Sequence, residues 1–191
     1  MARLALVAFA LAALQASAPA TIQLEIRVFD GTEEVTADTR VAVFRAGERE
    51  APLARLVTHD GRKELDVPEG FYDVQAVRER DGRVLTIRWA ERLVIMPYPD
   101  EGGRHLQVIN LRSGFGALQV RAVGSAEPPD VRLFAEGHRE KAAAAAVIGR
   151  GYALFVVPAG RYDIRTGTKE QPAWHLAVDI PLDRTRLWFV P

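Results

Sequence analysis

The sequence predicts an all-β protein built from two tandem, small antiparallel β-sandwiches that follow an N-terminal signal segment. Three observations predict this class: an internal repeat, a period-two alternation of apolar and polar residues, and Asp-Gly turn signals between the alternating segments. Such alternation indicates strands with one face in a core and one in water. About seven short strands in each copy of the repeat are typical of a small sandwich.

The internal repeat has a spacing of 90 residues. Residues 41–73 align with residues 131–163 without a gap, and 13 of these 33 positions are identical. A repeat of this length indicates that each copy is one structural unit. We therefore predict domains at 21–111 and 117–191 with a linker at 112–116. Because this linker is short and apolar, we expect the two copies to touch.

Residues 1–20 have the pattern of a secretory signal peptide. Arg3 precedes an apolar stretch at 4–14, and Ala18-Pro19-Ala20 offers small residues for cleavage. The stretch is shorter than the roughly 20 residues that cross a bilayer, and an uncleaved N-terminal anchor is the alternative. We expect an exported protein, periplasmic or extracellular, with no membrane span in the mature chain. Cysteine is absent, so packing must stabilise it without disulfides.

The charge balance excludes one class of partner. The 25 Lys and Arg residues equal the 25 Asp and Glu residues in number. Nucleic-acid-binding proteins carry a basic face, so we expect no nucleic-acid partner.

Alternation also predicts the individual strands. Those of the first copy are expected at 22–28, 40–46, 53–58, 63–67, 71–78, 84–96 and 105–111, and those of the second at 118–122, 131–135, 143–148, 152–157, 161–166, 174–180 and 186–190. Residues 142–146 are all alanine and favour a helix by propensity. The repeat nevertheless aligns them with a predicted strand, so we favour an extended edge segment over a helical turn.

The strongest part of the repeat is the pattern Val-Pro-x-Gly-x-Tyr-Asp. We expect the proline to end a strand, because it lacks the N–H that a sheet needs. The glycine is expected to accept a backbone conformation closed to other residues. The tyrosine begins the next strand with its ring inward and its hydroxyl bonded to nearby backbone, and the aspartate caps backbone amides. The motif residues are Pro68, Gly70, Tyr72 and Asp73 in the first copy and Pro158, Gly160, Tyr162 and Asp163 in the second.

This motif, together with the strand spacing, resembles the carboxypeptidase regulatory-like and PEGA-type domains, and the resemblance covers most of each copy. It implies an immunoglobulin-like or transthyretin-like (prealbumin-like) sandwich. It also implies an accessory module of exported or surface proteins that carries no catalytic residues. The departure from that pattern is that no enzyme domain accompanies the two copies.

The sequence predicts no catalytic, cofactor-binding or metal-binding residues. Ser113 and Ser125 are the only serines after the signal segment, and neither lies in a Gly-x-Ser-x-Gly motif. The four histidines lack metal-ligand spacing. Calcium binding by aspartates in the loops remains an open alternative.

Aromatic residues are the candidates for a contact surface. Alternation groups Trp89 with Leu85 and Ile87, and Trp174 with Leu176, Val178 and Ile180, on the inner faces of their strands. Trp188 is out of phase with its apolar neighbours, and Tyr98 lies in a proline-rich loop. We therefore predict Tyr98 and Trp188 as the contact surface, with packing of Trp188 on the first copy as the alternative.

Duplicated scaffold residues without catalytic motifs predict a non-enzymatic binding, docking or adhesion-type accessory protein of the bacterial envelope. The expected partner is an envelope or surface protein, or an extracellular polysaccharide. One alternative is a glycan-acting hydrolase that uses a pair of Asp or Glu carboxylates. The other is a carrier of a small ligand, which requires a sizeable cavity.

Overall fold

The structure, a computed structural model, describes residues 21–58, 62–97, 104–125, 127–167 and 171–191. These residues form strands and turns and contain no helix, so none of them forms a helical membrane span and the all-β prediction is confirmed. The predicted signal peptide lies outside them. The first half contains β1 (Thr21–Asp30), β2 (Glu33–Glu34), β3 (Thr39–Arg45), β4 (Ala54–Leu56), β5 (Lys63–Pro68), β6 (Gly70–Arg80), β7 (Arg83–Ile95) and β8 (Arg104–Asn110). The second half contains β9 (Phe115–Ala122), β10 (Val131–Ala135), β11 (Ala142–Ala144), β12 (Val147–Gly149), β13 (Tyr152–Pro158), β14 (Gly160–Gly167), β15 (Pro172–Ile180) and β16 (Thr185–Val190).

Two sheets form each half, and equivalent strands occupy equivalent places. In the first half one sheet has the order β4-β3-β6-β7, and in the other β1 lies between β8 and the strands β2 and β5. The second half repeats this as β11-β10-β14-β15 and β12-β13-β9-β16. The pairs β1–β8 and β9–β16 are parallel, whereas all other pairs are antiparallel. Alternation alone does not distinguish the two directions.

Each half encloses its own apolar core. In β1 the residues Ile22, Leu24, Ile26 and Val28 are at most 1% exposed, while the intervening polar residues are half-buried. This is the pattern expected of a strand with one face in a core. The core of the first half contains residues from 22 to 111 only, and the core of the second contains residues from 118 to 190 only.

The alanine-rich segment is extended, as predicted. Its first part forms β11 at the edge of one sheet beside β10, and the following residues form β12 at the edge of another beside β13. Backbone pairing with these neighbours outweighs the helix propensity of alanine.

The repeated motif closes the turn from β5 to β6 and the turn from β13 to β14. Pro68 and Pro158 are the last residues of their strands. The Tyr72 and Tyr162 side chains are 1% and 9% exposed, and each hydroxyl donates a 2.7 Å hydrogen bond to the carbonyl of the motif proline. The expectation for glycine is wrong at Gly70, whose φ lies outside the left-handed region. There the turn is fixed by the proline and the tyrosine rather than by a special glycine conformation.

The predicted inward orientation of Trp89 and Trp174 is also wrong. Leu85, Ile87 and Leu176 are 53% to 58% exposed, so the faces that hold the tryptophans before the bulges point outward, whereas Val178 and Ile180 beyond the bulge of β15 are buried. A β-bulge shifts the register of β7 at Arg92 and of β15 at Ala177, where φ is 51° and 53°. A bulge reverses the alternation on one side of it, so the buried residues beyond the bulge do not share a face with the tryptophan.

Replacing Tyr72 or Tyr162 by phenylalanine tests the role of the motif hydroxyl. Each change removes one hydrogen bond to the carbonyl of the motif proline, and we expect it to lower the free energy of unfolding by about 1 kcal/mol. The two sites lie in different cores, so the effects should add in the double variant. Urea denaturation measures them; a double variant as stable as wild type would contradict this role.

Candidate binding cleft between the two halves

The two halves touch through the outer face of one sheet from each, as the short linker predicts. β9 begins at Phe115, inside the predicted linker, so the chain passes directly from one sheet to the next. Tyr152, Leu154 and Val156 of β13 lie in an apolar cluster shared with the first half, while alternate residues of the strand enter the second core. The first-half members of this cluster are Phe29, Leu106 and Val108. β13 is therefore buried on both faces.

A hydrogen-bonded group lies at the edge of this contact. The Tyr152 hydroxyl donates to Glu25 Oε1 over 3.0 Å and accepts from Arg27 Nη1 over 3.2 Å. Burial, assisted by the charge of Glu25, raises the pKa of Tyr152 to about 12. Burial by itself would lower the pKa of Arg27. The hydrogen bond and ion pair with Glu34 have the larger effect, and the pKa of Arg27 is raised. The phenol therefore stays protonated at neutral pH and bridges two charged groups of the first half.

Gly149 makes room for the Tyr152 ring. These two residues are cross-strand neighbours, and a Cβ at Gly149 would lie 2.0 Å from Tyr152 Cζ. Any larger residue at 149 must displace the ring, and with it the hydroxyl that reaches Glu25 and Arg27.

Two further contacts fix the halves relative to each other. The backbone N–H of Val108 donates to Thr185 Oγ1 over 2.9 Å, and Arg88 forms a 2.7 Å ion pair with Asp183. The turn at 181–184 is in turn tied to the start of β9, because Asp183 N donates to the Phe115 carbonyl and Ala117 N to the Arg184 carbonyl. This turn is therefore held against β7 and β8.

A cleft of about 330 Å³ lies between this turn and the two strands. Its apolar lining comes from Ala90, Leu93, Val108, Ile109, Phe115, Ala117 and Leu182, and its charged lining from Arg88, Glu91, Asp183 and Arg184; Trp89, Asn110 and Gly116 complete it. Gly116 allows the backbones to approach closely at the back, where a Cβ would lie 2.2 Å from the Pro181 carbonyl oxygen. Its lining therefore mixes apolar side chains with charged and polar groups, and it lies at a junction between two units, where binding sites often occur.

Three of the four charged groups of the cleft are paired. Glu91 accepts a 2.5 Å ion pair from Arg49, and Arg88 is bound to Asp183. Arg184 is exposed and forms no ion pair with another described residue. Arg184 is therefore the charged group of the cleft that no described residue pairs.

A cluster of four side chains lies beside the cleft and is repeated in the second half. Arg49 stacks on Trp89 with 4.6 Å from its Cζ atom to the ring centre, and the Phe44 ring centre is 5.2 Å from that of Trp89. The second half has Arg139 on Trp174 at 4.7 Å and Phe134 at 5.2 Å. Each arginine also contacts the motif aspartate of its half, Asp73 or Asp163.

The motif aspartates hold the bulges. Asp73 accepts hydrogen bonds from the backbone N–H groups of Gly47 and Arg92, and Asp163 accepts them from Gly137 and Ala177. Burial favours the neutral form of Asp73, but these amides and Arg49 outweigh it and lower the pKa of Asp73. The Ala177 amide is the main cause of the lowered pKa of Asp163. The predicted capping role is present, and one of the two capped amides belongs to the bulge.

Of the two predicted contact residues, the structure describes Trp188. Tyr98 lies outside the described residues. Trp188 is half-buried against the core of the second half, with its ring centre 5.9 Å from that of His175. Among the described residues no group of three or more His, Asp or Glu residues is placed to hold a metal ion. Sequence reasoning missed Arg88, Asp183 and Arg184, because residues so far apart in the chain carry no shared spacing signal.

Comparisons with known proteins identify no family for this chain. The chain matches no protein-family model and no curated protein. Solved structures similar to it include the Bacillus anthracis TIE protein (14% identity, TM-score 0.33, covering 89% of this chain and 33% of that one). Others are the tip fimbrial protein Mfa3 from Porphyromonas gingivalis with C-terminal truncation (12%, 0.32, 81% of each chain) and a putative adhesin from Bacteroides ovatus (12%, 0.32, 90% and 93%). The chain spans a third of the length of the first protein. Likenesses with such TM-scores carry no argument about function.

Replacing Tyr152 by phenylalanine tests the contact between the halves. The change leaves Glu25 and Arg27 without their shared partner, and we expect it to cost about 1–3 kcal/mol of unfolding free energy. Urea denaturation measures the loss. Tyr72→Phe is the matched control, because Tyr72 lies inside one core. After correction for the loss of global stability, hydrogen exchange of the β8 amides at the contact should be unchanged in Tyr72→Phe and faster in Tyr152→Phe. Equal exchange in both variants would contradict a role for Tyr152 in joining the halves.

Replacing Asp73 and Asp163 by asparagine tests the pH dependence that follows from their lowered pKa. Such a group stabilises the folded state above its unfolded pKa of about 3.9, and the stabilisation is lost as the pH falls through the folded value. We therefore expect the double variant to have a lower urea midpoint than wild type at pH 7 and a smaller deficit at pH 3. Asp66→Asn, at an exposed position of β5, is the control. A deficit that does not shrink in acid would contradict the assignment.

Proposed function

We propose that this chain is an exported, non-enzymatic binding protein, of the docking or adhesion type, that serves the bacterial envelope and receives its partner in the cleft between the halves. The observation that carries the proposal is that this cleft takes its walls from both halves. β13, buried on both faces, and the Arg88–Asp183 ion pair hold those walls together. A site assembled by a fixed contact is preorganised, which lowers the entropic cost of binding.

Comparison of the two copies of the repeat supports the same site, because the charged cleft residues of the first half do not recur in the second. Residues that stabilise each half recur, including the aspartate, arginine, tryptophan and phenylalanine of the stacked cluster. With Trp89 aligned to Trp174 and Arg92 to Ala177, the cleft residues Arg88 and Glu91 correspond to Ala173 and Leu176. Arg88 and Glu91 therefore have no charged counterpart in the second half, as expected of residues that serve the cleft rather than the fold.

The domain organisation and the compartment belong to this proposal. We take the two halves as tandem sandwich domains of the carboxypeptidase regulatory-like or PEGA type, with residues 1–20 as a cleaved signal peptide and the mature chain in the periplasm or outside the cell. The separate cores and the repeated Pro-x-Gly-x-Tyr-Asp turns support this division. The partner is an envelope or surface protein, or an extracellular polysaccharide.

One observation favours a second function. Glu91 and Asp183 both line the cleft, and a glycan-acting hydrolase needs two carboxylates in one cleft. Each carboxylate is already held by an arginine in an ion pair, which supports a structural role. The hydrolase function predicts release of reducing ends from an envelope polysaccharide that Glu91→Gln or Asp183→Asn abolishes; the binding function predicts none in wild type.

Replacing Leu182 by aspartate tests the cleft as the binding site. Leu182 lines the cleft and is 54% exposed, so the change should alter binding with little effect on stability. Immobilised wild-type chain is used to capture proteins and polysaccharides from an envelope extract of the producing bacterium, with the bound material quantified. We expect Leu182→Asp to lose most of the captured partner.

Leu176→Asp is the matched control. Leu176 is 58% exposed on the outer sheet of the second half and does not line the cleft, so this variant should capture as much as wild type. Equal losses in both variants, or no partner captured by wild type, would contradict the proposal.

A further inference from the structure

We infer that the cleft binds an extended peptide segment with an acidic group, which adds as a strand to the free edge of β7. This inference rests on the proposed function and names the chemical class of the partner. It follows from the position of β7 at the edge of a sheet, from the composition of the cleft, and from the charge of Arg184.

β7 presents a free edge to the cleft. It pairs with β6 along one side, and no strand among the described residues pairs with its other side. Arg88, Trp89, Ala90, Glu91 and Leu93 of β7 all line the cleft, so the strand itself forms a wall. An edge strand carries backbone N–H and C=O groups that an extended peptide satisfies, and such strand addition is a recurring mode of peptide recognition.

The dimensions of this edge suit a short strand. The four residues from 88 to 91 precede the bulge at Arg92 and span about 13 Å at the usual rise of a strand, which is enough to pair with a short strand. β8 lies on the opposite side through Val108 and Ile109, and the turn at 181–184 closes one end. In a strand, alternate side chains point to opposite sides, so one set faces the apolar lining while the other faces solvent.

The charges of the cleft select an acidic group. Glu91 and Asp183 are each paired with an arginine, Arg49 and Arg88, whereas Arg184 has no ion-pair partner among the described residues. A guanidinium offers a fork of donors that matches a carboxylate, and hydrogen bonds between charged groups are stronger than those between neutral ones. A peptide carboxylate complements this charge, whereas a lysine or arginine side chain is repelled by it.

A displayed library of random eight-residue peptides, selected against the immobilised full chain, tests the inference. We expect selected peptides to contain an Asp or Glu beside alternating apolar residues. A selected peptide, made synthetically, should bind Arg184→Gln about tenfold more weakly than wild type, because a charge-assisted hydrogen bond is lost. Arg184→Lys should restore part of the affinity. Arg132→Gln, which removes an exposed arginine of the second half, should not change it.

Methylation of alternate backbone nitrogens tests strand addition separately. Methylating the nitrogens that donate to β7 should abolish binding, while methylating those that point away should not. Equal effects of the two methylation patterns, no enrichment of acidic residues, or unchanged affinity in Arg184→Gln would each overturn the inference. If no peptide is selected while Leu182→Asp still abolishes capture from the envelope extract, the proposed function stands and the peptide assignment is wrong.

Discussion

The burial of β13 on both faces is the constraint on which the rest of the molecule depends. A strand of a small sandwich ordinarily keeps one face in water, but in β13 Ala153 and Phe155 enter the second core while Leu154 and Val156 pack on the first half. This arrangement removes apolar surface of both halves from water, and each 100 Å² buried in this way is worth about 2.5 kcal/mol. It also fixes the angle at which the second half meets β8, and so creates the cleft beside β7.

The bulges of β7 and β15 are the second constraint. A positive φ at a residue other than glycine is unfavourable and persists only where the surroundings hold it. Here a buried carboxylate accepts the bulge N–H, and an arginine that stacks on tryptophan in turn binds the carboxylate. In the first half the bulge reverses the faces of β7, so that Ala90 packs against the core while Trp89 lies on the outer face under Arg49. Asp73 therefore affects the shape of the cleft through the bulge of β7, without lining the cleft itself.

Much of the fold was predictable because its signals are local. Period-two alternation in β1, the prolines that end β5 and β13, and the inward tyrosines Tyr72 and Tyr162 each depend on residues close together in the chain. The repeat also predicted that the alanine-rich segment is extended, although alanine favours a helix. The side of β7 on which Trp89 lies was not predictable, because the bulge depends on a hydrogen bond to Asp73, 19 residues earlier.

The sequence by itself determined that the chain is all-β and duplicated, with turns closed by the same proline and tyrosine in each half. Those features follow from backbone chemistry and short-range patterns. Only the tertiary structure decided which outer faces meet, that Tyr152 reaches Glu25 and Arg27, and that Arg88, Asp183 and Arg184 gather at one cleft. Such contacts join residues far apart in the chain, and their geometry exists only once two separately formed cores pack on one another.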